Sequence, residues 1–331
     1  MKRKLKNVIV TGGAGFIGSH LCKIIKRNLP QTNVIVVDCL TYAGNLDNLR
    51  TDSDETVFEF REIDIRNRES LKSLEDLEID AILHLAAESH VDRSIENPLE
   101  FVETNVLGTV NLLELGLKYK AKNPDFIFYH ISTDEVFGTL GFGDKPFNEE
   151  TSYDPHSPYS ASKAASDHFV RAYADTYGLN TLISNCSNNY GPNQYPEKLI
   201  PVVIKSLIER KPIPIYGEGN NVRDWLFVED HTEAILEIIM RGRFGETYCI
   251  GGDCELTNLE LVKRIILEFD KQEGTHSMDL ISFVKDRPGH DLRYAIDHSK
   301  LTQEIGWKPR YSLNYGLSNT ISWYIKYFKN E

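Results

Sequence analysis

Long apolar stretches are absent from the 331-residue sequence, and none approaches the length of a membrane span. The basic start, Met1 to Lys6, precedes the run Val8-Ile9-Val10, which is too short for the core of a signal peptide. Repeats and low-complexity segments are absent too. We therefore expect a cytoplasmic globular protein whose length favours one large domain plus a smaller one.

The sequence has few cysteines, and fewer basic than acidic residues. The five cysteines include no C-x-x-C pair, so we predict reduced thiols and no metal site; they are Cys22, Cys39, Cys186, Cys249 and Cys254. The net charge of -12 argues against a protein that binds nucleic acid or membrane surfaces. It leaves room for a small anionic ligand, because local arginines and helix N-termini decide such binding.

The first half contains a regular alternation of short β-branched runs and amphipathic stretches. This alternation predicts an α/β fold, a doubly wound parallel sheet of the Rossmann type with helices on both faces. The predicted strands are residues 8–10, 34–37, 81–85, 126–129 and 181–183, and the predicted helices are residues 16–29, 69–77, 100–119 and 159–177.

The alternation of strand and helix patterns ends after about Cys186. Residues 188–201 and 212–224 are rich in Asn, Gly and Pro, which predicts long ordered loops. We interpret residues 1–186 as a cofactor-binding domain and residues 187–331 as a smaller, mixed α/β substrate-binding domain. Residues 225–250 are expected to return to the larger domain.

A glycine-rich turn from Gly12 to Gly18 joins the first predicted strand to the first helix. Its glycines fit both G-x-G-x-x-G and G-x-x-G-x-x-G, patterns that form a tight turn and let the backbone approach a pyrophosphate. Asp38 ends the second strand, twenty positions beyond Gly18. A carboxylate there accepts hydrogen bonds from the adenosine ribose and repels a 2′-phosphate, so we expect NAD rather than NADP. Asp64-Ile65 and residues 85–89 follow further strands and point to the same crevice.

Tyr159 and Lys163 lie one helical turn apart, on one face of a predicted helix. An ammonium beside the tyrosine would stabilise its phenolate and lower a pKa that begins near 10. Such a tyrosine removes a proton from a sugar hydroxyl while NAD takes the hydride. Alone the pattern is common on amphipathic helices, but after a dinucleotide fingerprint it predicts catalysis.

These features resemble the extended short-chain dehydrogenase/reductase family, and within it the nucleotide-sugar 4,6-dehydratases, over nearly the whole chain. Besides the glycine turn, the segments that carry the resemblance are residues 84–92, 132–136, 159–163, 188–192, 223–225 and 286–291. Phe137 departs from the family pattern, which commonly has tyrosine there, but it lies outside the acid/base pair.

The resemblance implies catalytic roles for Thr133, Asp134, Glu135, Tyr159 and Lys163, and an NAD that is recycled within each turnover. It also implies a homodimer formed through the helices at residues 100–119 and 159–177. The residues expected around the cofactor are Gly12, Gly15, Phe16, Ile17, Gly18, Asp38, Cys39, Leu40, Thr41, Asp64, Ile65, Leu85, Ala86, Ala87, Ser89, Thr104, Tyr159, Lys163 and Asn189.

A second set of residues is expected around the nucleotide sugar. Arg223 is the candidate for bidentate contact with the pyrophosphate, with Lys198 and His290 as helpers. The set comprises Ser89, Thr133, Asn188, Lys198, Leu199, Pro214, Ile215, Tyr216, Arg223, Asn258, Asp286 and His290.

The adjacent carboxylates Asp134 and Glu135 distinguish a dehydratase from other activities of this scaffold. Dehydration needs a base to remove a proton beside a carbonyl and an acid to protonate the departing hydroxide, and two carboxyls in different environments divide those roles. We assign the base to Glu135 and the acid to Asp134, after Tyr159 has assisted oxidation at carbon 4. A nucleotide-sugar 4-epimerase or decarboxylase, a dehydratase of UDP- or CDP-glucose, and a non-catalytic NAD-sensing module remain as alternatives.

Overall fold

The centre of the fold is a seven-stranded parallel sheet in the computed structural model, which describes residues 3–50, 58–286 and 289–330. The strand order is β10-β6-β5-β4-β1-β2-β3, and each neighbouring pair is parallel. In chain order the strands are β1 (Asn7–Thr11), β2 (Asn33–Asp38), β3 (Glu59–Glu62), β4 (Ala81–His84), β5 (Ile127–Thr133), β6 (Asn180–Cys186), β7 (Asn188–Tyr190), β8 (Ile213–Tyr216), β9 (Val222–Phe227), β10 (Thr247–Ile250), β11 (Glu255–Thr257) and β12 (Ile281–Val284).

Helices cover both faces of this sheet and build the smaller region. They are α1 (Phe16–Asn28), α2 (Arg68–Leu71), α3 (Val91–Glu96), α4 (Pro98–Phe101), α5 (Gly108–Lys122), α6 (Pro158–Tyr177), α7 (Leu199–Ile208), α8 (Val228–Arg241), α9 (Asn258–Glu273), α10 (Ser299–Ile305) and α11 (Leu313–Asn330). Short 3₁₀ turns span Leu46–Leu49, Lys72–Leu74, Asp134–Phe137 and Met278–Leu280, and a π-helical turn spans Val102–Leu107.

The central strands are apolar on both sides because both faces are buried. Val8 and Val10 of β1 pack into one hydrophobic core with α1 and α8, while Ile9 packs into a second core with α5 on the opposite face. This is the pattern of a doubly wound parallel sheet. The chain order reverses between β1 and β4, so a crevice opens beyond the carboxyl ends of these strands.

The smaller region has a hydrophobic core of its own. It contains a three-stranded sheet of β11, β9 and β7 and a two-stranded sheet of β12 and β8. Helices α7, α9 and α11 pack around Ile204, Ile265 and Ile321, which are fully buried. Strand β10 pairs with β6, so residues 247–250 lie in the large sheet. Helix α8 before them packs into the core of that sheet, whereas β11 after them belongs to the smaller region.

The predicted α/β fold with a doubly wound parallel sheet is confirmed. Two predicted helices differ in form. Residues 69–77 form only the short helix α2 and the 3₁₀ turn Lys72–Leu74, and residues 100–119 are not one regular helix, because the chain passes through α4 and the π-helical turn before α5 begins at Gly108. All five cysteines are free thiols. Within the described ranges, no helix has the length and apolar character needed to cross a bilayer.

Candidate active site

A cleft of about 320 Å³ opens where the parallel strands end. Its wall includes Gly12 after β1, Asp38 at the end of β2, Leu85 after β4, Thr133 at the end of β5 and Cys186 at the end of β6. The cleft therefore occupies the switch point at which open α/β sheets bind their ligands.

The cleft brings together residues that are far apart in the sequence. All five predicted catalytic residues line it, and so do all the predicted cofactor residues except Leu40. Leu40 instead shapes the turn after β2, because its main-chain N–H donates to Asp38 Oδ1 at 2.9 Å and its φ is 50°.

Two glycines of the first turn allow a close approach of backbone. Gly12 has a φ of 68°, in the left-handed region, and a Cβ atom there would lie 2.7 Å from the main-chain nitrogen of Ala86. A Cβ atom on Gly18 would lie 2.1 Å from the carbonyl oxygen of Gly12. The turn is thus a cradle that only glycine forms, at the N-terminus of α1, where main-chain N–H groups favour an anion.

Asp38 and Asp64 differ in how their carboxylates are engaged. Asp38 accepts hydrogen bonds from the main-chain N–H groups of Ala14 and Leu40, at 3.0 and 2.9 Å, and burial raises its pKa. Asp64 is paired with Arg66, with Oδ2 to Nη2 at 2.7 Å, and this hydrogen bond lowers the pKa of Asp64. Asp38 is therefore fixed in the cleft wall by main-chain hydrogen bonds without a cationic partner in them, whereas the charge of Asp64 is balanced by Arg66.

Helix α6 fixes the positions of Tyr159 and Lys163. The helix begins with Pro158 after a capping box between Ser157 and Ser160, and it ends at Gly178, whose φ is 63°. Both Tyr159 and Lys163 are buried, and Lys163 Nζ donates to the carbonyl oxygen of Ile131 at 2.9 Å.

The environment of Tyr159 corrects one expectation. Burial first, and then the charge of Glu135, raises the pKa of Tyr159 well above its usual value, although a hydrogen bond with Thr133 lowers it. Burial lowers the pKa of Lys163 to about 8. The depressed tyrosine pKa expected from the Tyr159–Lys163 pattern is thus wrong for the protein alone, because removal from water and the charges of Glu135 and Asp134 raise it.

Thr133, Asp134 and Glu135 lie where β5 turns into a 3₁₀ turn. The Thr133 hydroxyl caps this turn by accepting the Glu135 main-chain N–H at 3.3 Å, and it donates to Asp134 Oδ1 at 3.3 Å. Asp134 is only 2% exposed, and burial followed by the charge of Glu135 raises its pKa well above the usual range. Glu135 is more accessible, so the two neighbours occupy different environments.

The predicted substrate residues fall into separate groups. Ser89, Thr133, Asn188 and Lys198 line the cleft. Lys198 Nζ donates to the carbonyl oxygen of Ser89 at 2.8 Å and so connects the smaller region to the loop after β4. The buried Oδ1 atom of Asn188 has no hydrogen-bond partner among the described residues, which leaves it available to a ligand. Leu199 follows Lys198 as the first residue of α7.

A second cluster forms beyond β8. His290 Nδ1 lies 2.7 Å from Asp286 Oδ1, and its ring meets that of Tyr216 edge-on at 6.3 Å. Pro214 and Tyr216 are exposed, but the side chain of Ile215 packs into the core, so it can offer a ligand only its main chain. Arg287 and Pro288 of the same motif lie outside the described residues.

Arg223 lies on β9, in the three-stranded sheet, and Asn258 begins the helix that follows β11. The Arg223 guanidinium stacks over the Tyr294 ring at 4.2 Å and donates to the carbonyl oxygen of Asp291 at 3.0 Å. Its charge also acts on buried Asp134, whose pKa it lowers against the larger effect of burial. Asn258 begins α9, and its N–H donates to the carbonyl oxygen of Asn221 at 2.9 Å.

Several residues of the cleft were missed by the sequence interpretation. Glu88 is 5% exposed, its Oε2 has no hydrogen-bond partner among the described residues, and burial raises its pKa. It lies inside the segment 84–92 that carried the family resemblance, so a signal was available. Tyr195, which also lines the cleft and whose ring meets that of Tyr42 at 5.2 Å, had none.

Comparison with known proteins identifies the family. A family model described as GDP-mannose 4,6 dehydratase matches residues 9–320. The dTDP-glucose 4,6-dehydratase of Neisseria meningitidis serogroup B is 49% identical, and the alignment covers 97% of this chain and 94% of that protein. This chain belongs to the dTDP-glucose 4,6-dehydratase family. The family resemblance predicted from the sequence is thereby confirmed.

Solved structures share the fold over almost the full length. The dTDP-glucose 4,6-dehydratase of Streptomyces venezuelae, crystallised with NAD bound, is 42% identical with a TM-score of 0.89, covering 97% of both chains. A UDP-glucose 4-epimerase of Thermotoga maritima, crystallised with UDP-glucose, is 29% identical with a TM-score of 0.86, covering 97% of this chain and 99% of that one. Dehydratases and epimerases therefore share this scaffold, and the residues of the cleft must distinguish them.

Proposed function

We propose that this protein dehydrates dTDP-glucose to dTDP-4-keto-6-deoxyglucose and holds NAD as a resident cofactor. The observation that carries the proposal is the meeting of two sets of groups in one cleft. Tyr159 and Lys163 come from α6, while Asp134 and Glu135 come from the end of β5. The first set suits oxidation of a hydroxyl, and the second suits elimination of water.

The cradle around Gly12 and Gly18 suits the pyrophosphate of NAD, because these glycines let the turn close tightly at the N-terminus of α1, where main-chain N–H groups favour an anion. The Asp38 carboxylate, at the end of β2, fits the hydroxyls of the adenosine ribose. When bound, NAD would supply the hydride acceptor for carbon 4 in its oxidised form, with a positively charged nicotinamide ring, and the hydride donor for carbon 6 in its reduced form.

Oxidation begins with removal of a proton from the 4-hydroxyl. Tyr159 is the base, and its hydrogen bond with Thr133 holds the phenol in position. The Lys163 ammonium, anchored on the carbonyl oxygen of Ile131, stabilises the Tyr159 phenolate, which is the form that accepts this proton and becomes the phenol. The resulting 4-ketone makes the proton on carbon 5 acidic.

Elimination then uses the two carboxyls in opposite protonation states. Asp134 has a raised pKa because it is buried, so it keeps a proton that it can give to the departing 6-hydroxyl. Glu135 is more accessible and takes the proton from carbon 5. Reprotonation of carbon 5 completes a reaction that has no net redox change.

The nucleotide is held by the smaller region. Asn188 and Lys198 line the cleft, and the buried unpaired Oδ1 of Asn188 suits a donor on the substrate. Arg223, with Tyr216, Asp286 and His290 further out, is assigned to the diphosphate and base. The support for dTDP over UDP or CDP is the name of the 49% identical relative.

We also propose a cytoplasmic homodimer. Val102, Leu107 and Phe169 are exposed within residues 100–119 and 159–177, the segments expected to form the interface, and Ile95 and Leu99 are exposed just before them. We expect light scattering to show a dimer for the wild type and a monomer for Leu99→Asp. A monomeric wild type would contradict the proposal.

The support for the cytoplasmic compartment is the set of five free cysteines, which suits a reducing environment.

The test of the activity is a competition among dTDP-, UDP- and CDP-glucose, with products identified by mass. We expect loss of one water, first from dTDP-glucose, and none with Tyr159→Phe. The matched control is Tyr315→Phe on α11, which removes an exposed phenol and should leave the rate unchanged. A product of unchanged mass would identify a 4-epimerase instead.

A further inference from the structure

A buried polar network joins Lys163 to His130 on β5 and Asp167 on α6. Lys163 Nζ is 3.4 Å from His130 Nε2, and the same nitrogen of His130 is 3.2 Å from Asp167 Oδ1. The side chains of His130 and Asp167 are 0% exposed. The His130 ring thus lies between the ammonium and the carboxylate. Because its neutral Nε2 either accepts from Lys163 or donates to Asp167, the two charges act on each other across the ring, and strongly so because the region is buried.

The Asp167 carboxylate is held in place on its other side. Its Oδ2 accepts the hydroxyl of Tyr153 at 2.7 Å and the side-chain amide of Asn185 at 3.1 Å. Burial by itself would raise the pKa of Asp167, but the hydrogen bonds and charges of its neighbours, His130 foremost, lower it below the usual value. Asp167 is therefore a fixed negative charge.

The groups that face Lys163 come from α6 and from three strands of the sheet. Tyr159 and Asp167 lie on its own helix, His130 lies on β5, His84 on β4 and Cys186 on β6. Burial lowers the pKa of His130 to about 4, which makes the ring neutral, and it raises the pKa of the Cys186 thiol. Among these described neighbours, Asp167 supplies the negative charge.

We propose that Asp167, acting across His130, is a positioning residue that keeps Lys163 in its ammonium form beside Tyr159. Burial opposes this form by withdrawing the ammonium from water, and the charge of Asp167 offsets part of that effect. Without Asp167, Lys163 loses its proton more readily, and the neutral amine no longer stabilises the Tyr159 phenolate. The proposal rests on the function proposed above.

The consequence for the pH profile follows from the coupling of Tyr159 and Lys163. Loss of one proton from the pair gives either the working phenolate–ammonium form or an idle phenol–amine form. Neutralising Asp167 favours the idle form. The plateau of kcat should therefore fall, and the rising limb of the profile should move to lower pH because it now reports the lysine.

The experiment compares Asp167→Asn with Tyr153→Phe in the full-length enzyme with NAD bound. Asparagine keeps the size of the side chain and removes its charge, whereas Tyr153→Phe removes one hydrogen bond to the carboxylate and leaves the charge. For Asp167→Asn we expect a fall of about 10-fold or more in the plateau of kcat, a lower pH for the limb, and KM for dTDP-glucose within about twofold. Tyr153→Phe should keep the wild-type limb and most of the plateau.

If Asp167→Asn keeps the wild-type plateau of kcat and the wild-type rising limb of the pH profile, the inference is overturned. It is also overturned if Tyr153→Phe lowers the plateau of kcat as much as Asp167→Asn does, because the effect is then structural. Should Asp167→Asn not fold, His130→Gln tests the same connection: a lowered plateau supports the inference and an unchanged one overturns it. The mass of the wild-type product, measured in parallel, distinguishes failure of this inference from failure of the proposed function. Failure of the wild type to release water contradicts the proposed function itself.

Discussion

Thr133 donates a hydrogen bond to Asp134 Oδ1 across 3.3 Å, while Asp134 Oδ2 is buried without a hydrogen-bond partner among the described residues. A buried carboxyl with one free oxygen retains its proton and has a position from which to donate it. The strand end that carries Thr133 thus supplies both the hydroxyl that contacts Tyr159 and the acid for elimination.

Asp134→Asn should separate oxidation from elimination. The amide keeps the size of the carboxyl but has no acidic proton to give to the 6-hydroxyl, so we expect the 4-keto sugar to form and water release to slow by about 100-fold. Rapid quench with mass analysis measures both steps. Asp125→Asn, an exposed carboxylate before β5, is the control and should behave as wild type. Loss of bound NAD in Asp134→Asn would contradict the assigned role.

Glu135→Gln should block a different proton transfer. Without the base, the proton on carbon 5 stays in place, so the variant oxidises carbon 4 but incorporates no deuterium at carbon 5 from D₂O. Asp134→Asn, which keeps Glu135, should still exchange that proton. Nuclear magnetic resonance of the quenched sugars distinguishes the two variants. Equal exchange in both would show that Glu135 is not the base.

Gly18→Ala should weaken NAD binding through the backbone alone. The added Cβ atom would lie 2.1 Å from the carbonyl oxygen of Gly12, so the cradle must shift, at a cost of about 1–3 kcal/mol. NAD content after purification and the urea midpoint measure the effect. The matched control is Gly143→Ala, whose Cβ atom meets nothing within 4 Å. Wild-type NAD content in Gly18→Ala would refute the placement of the pyrophosphate.

Stability should fall between pH 7 and pH 5 in part because of His231. This side chain is 0% exposed, its Nδ1 lies 2.8 Å from Asn189 Oδ1, and burial lowers its pKa from 6.5 to about 3. Below pH 6.5, the pKa of His231 in the unfolded chain, the unfolded chain binds a proton that the folded chain does not bind, so the free energy of unfolding decreases as the pH falls. His231 alone should contribute a loss of about 2 kcal/mol over this range.

Urea unfolding at several pH values checks this slope. His231→Gln replaces the imidazole with an amide that does not titrate, so its free energy of unfolding should depend less on pH than that of the wild type. His276→Gln, at an exposed position, should retain the wild-type slope. Parallel curves for wild type and His231→Gln would contradict the prediction.

Much of the fold could be predicted because local patterns specify it. The apolar run at residues 8–10 lies within β1. The capping box of Ser157 and Ser160, with Pro158 between them as the first helical residue, begins α6 one residue before the predicted start. The cleft was predictable for the same reason, since glycines and carboxylates at the ends of parallel strands must meet at one edge.

Other features depend on contacts that one sequence does not reveal. Residues 102–107 have an ordinary amphipathic pattern, yet they form a π-helical turn that carries Thr104 to the cleft. The raised pKa of Tyr159 depends on burial and on Glu135, which is distant in sequence. The His130–Asp167 pair is similarly invisible, because β5 and α6 meet only in the folded chain.

The most direct test of the account uses dTDP-glucose carrying deuterium at carbon 4. If one cofactor is retained and recycled within each turnover, the deuterium must pass to carbon 6 of the same sugar. A mixture of labelled and unlabelled substrate should therefore give 4-keto-6-deoxy product in which each labelled molecule keeps its deuterium, now at carbon 6. Loss of the deuterium to solvent, or its appearance in product from unlabelled substrate, would contradict the account.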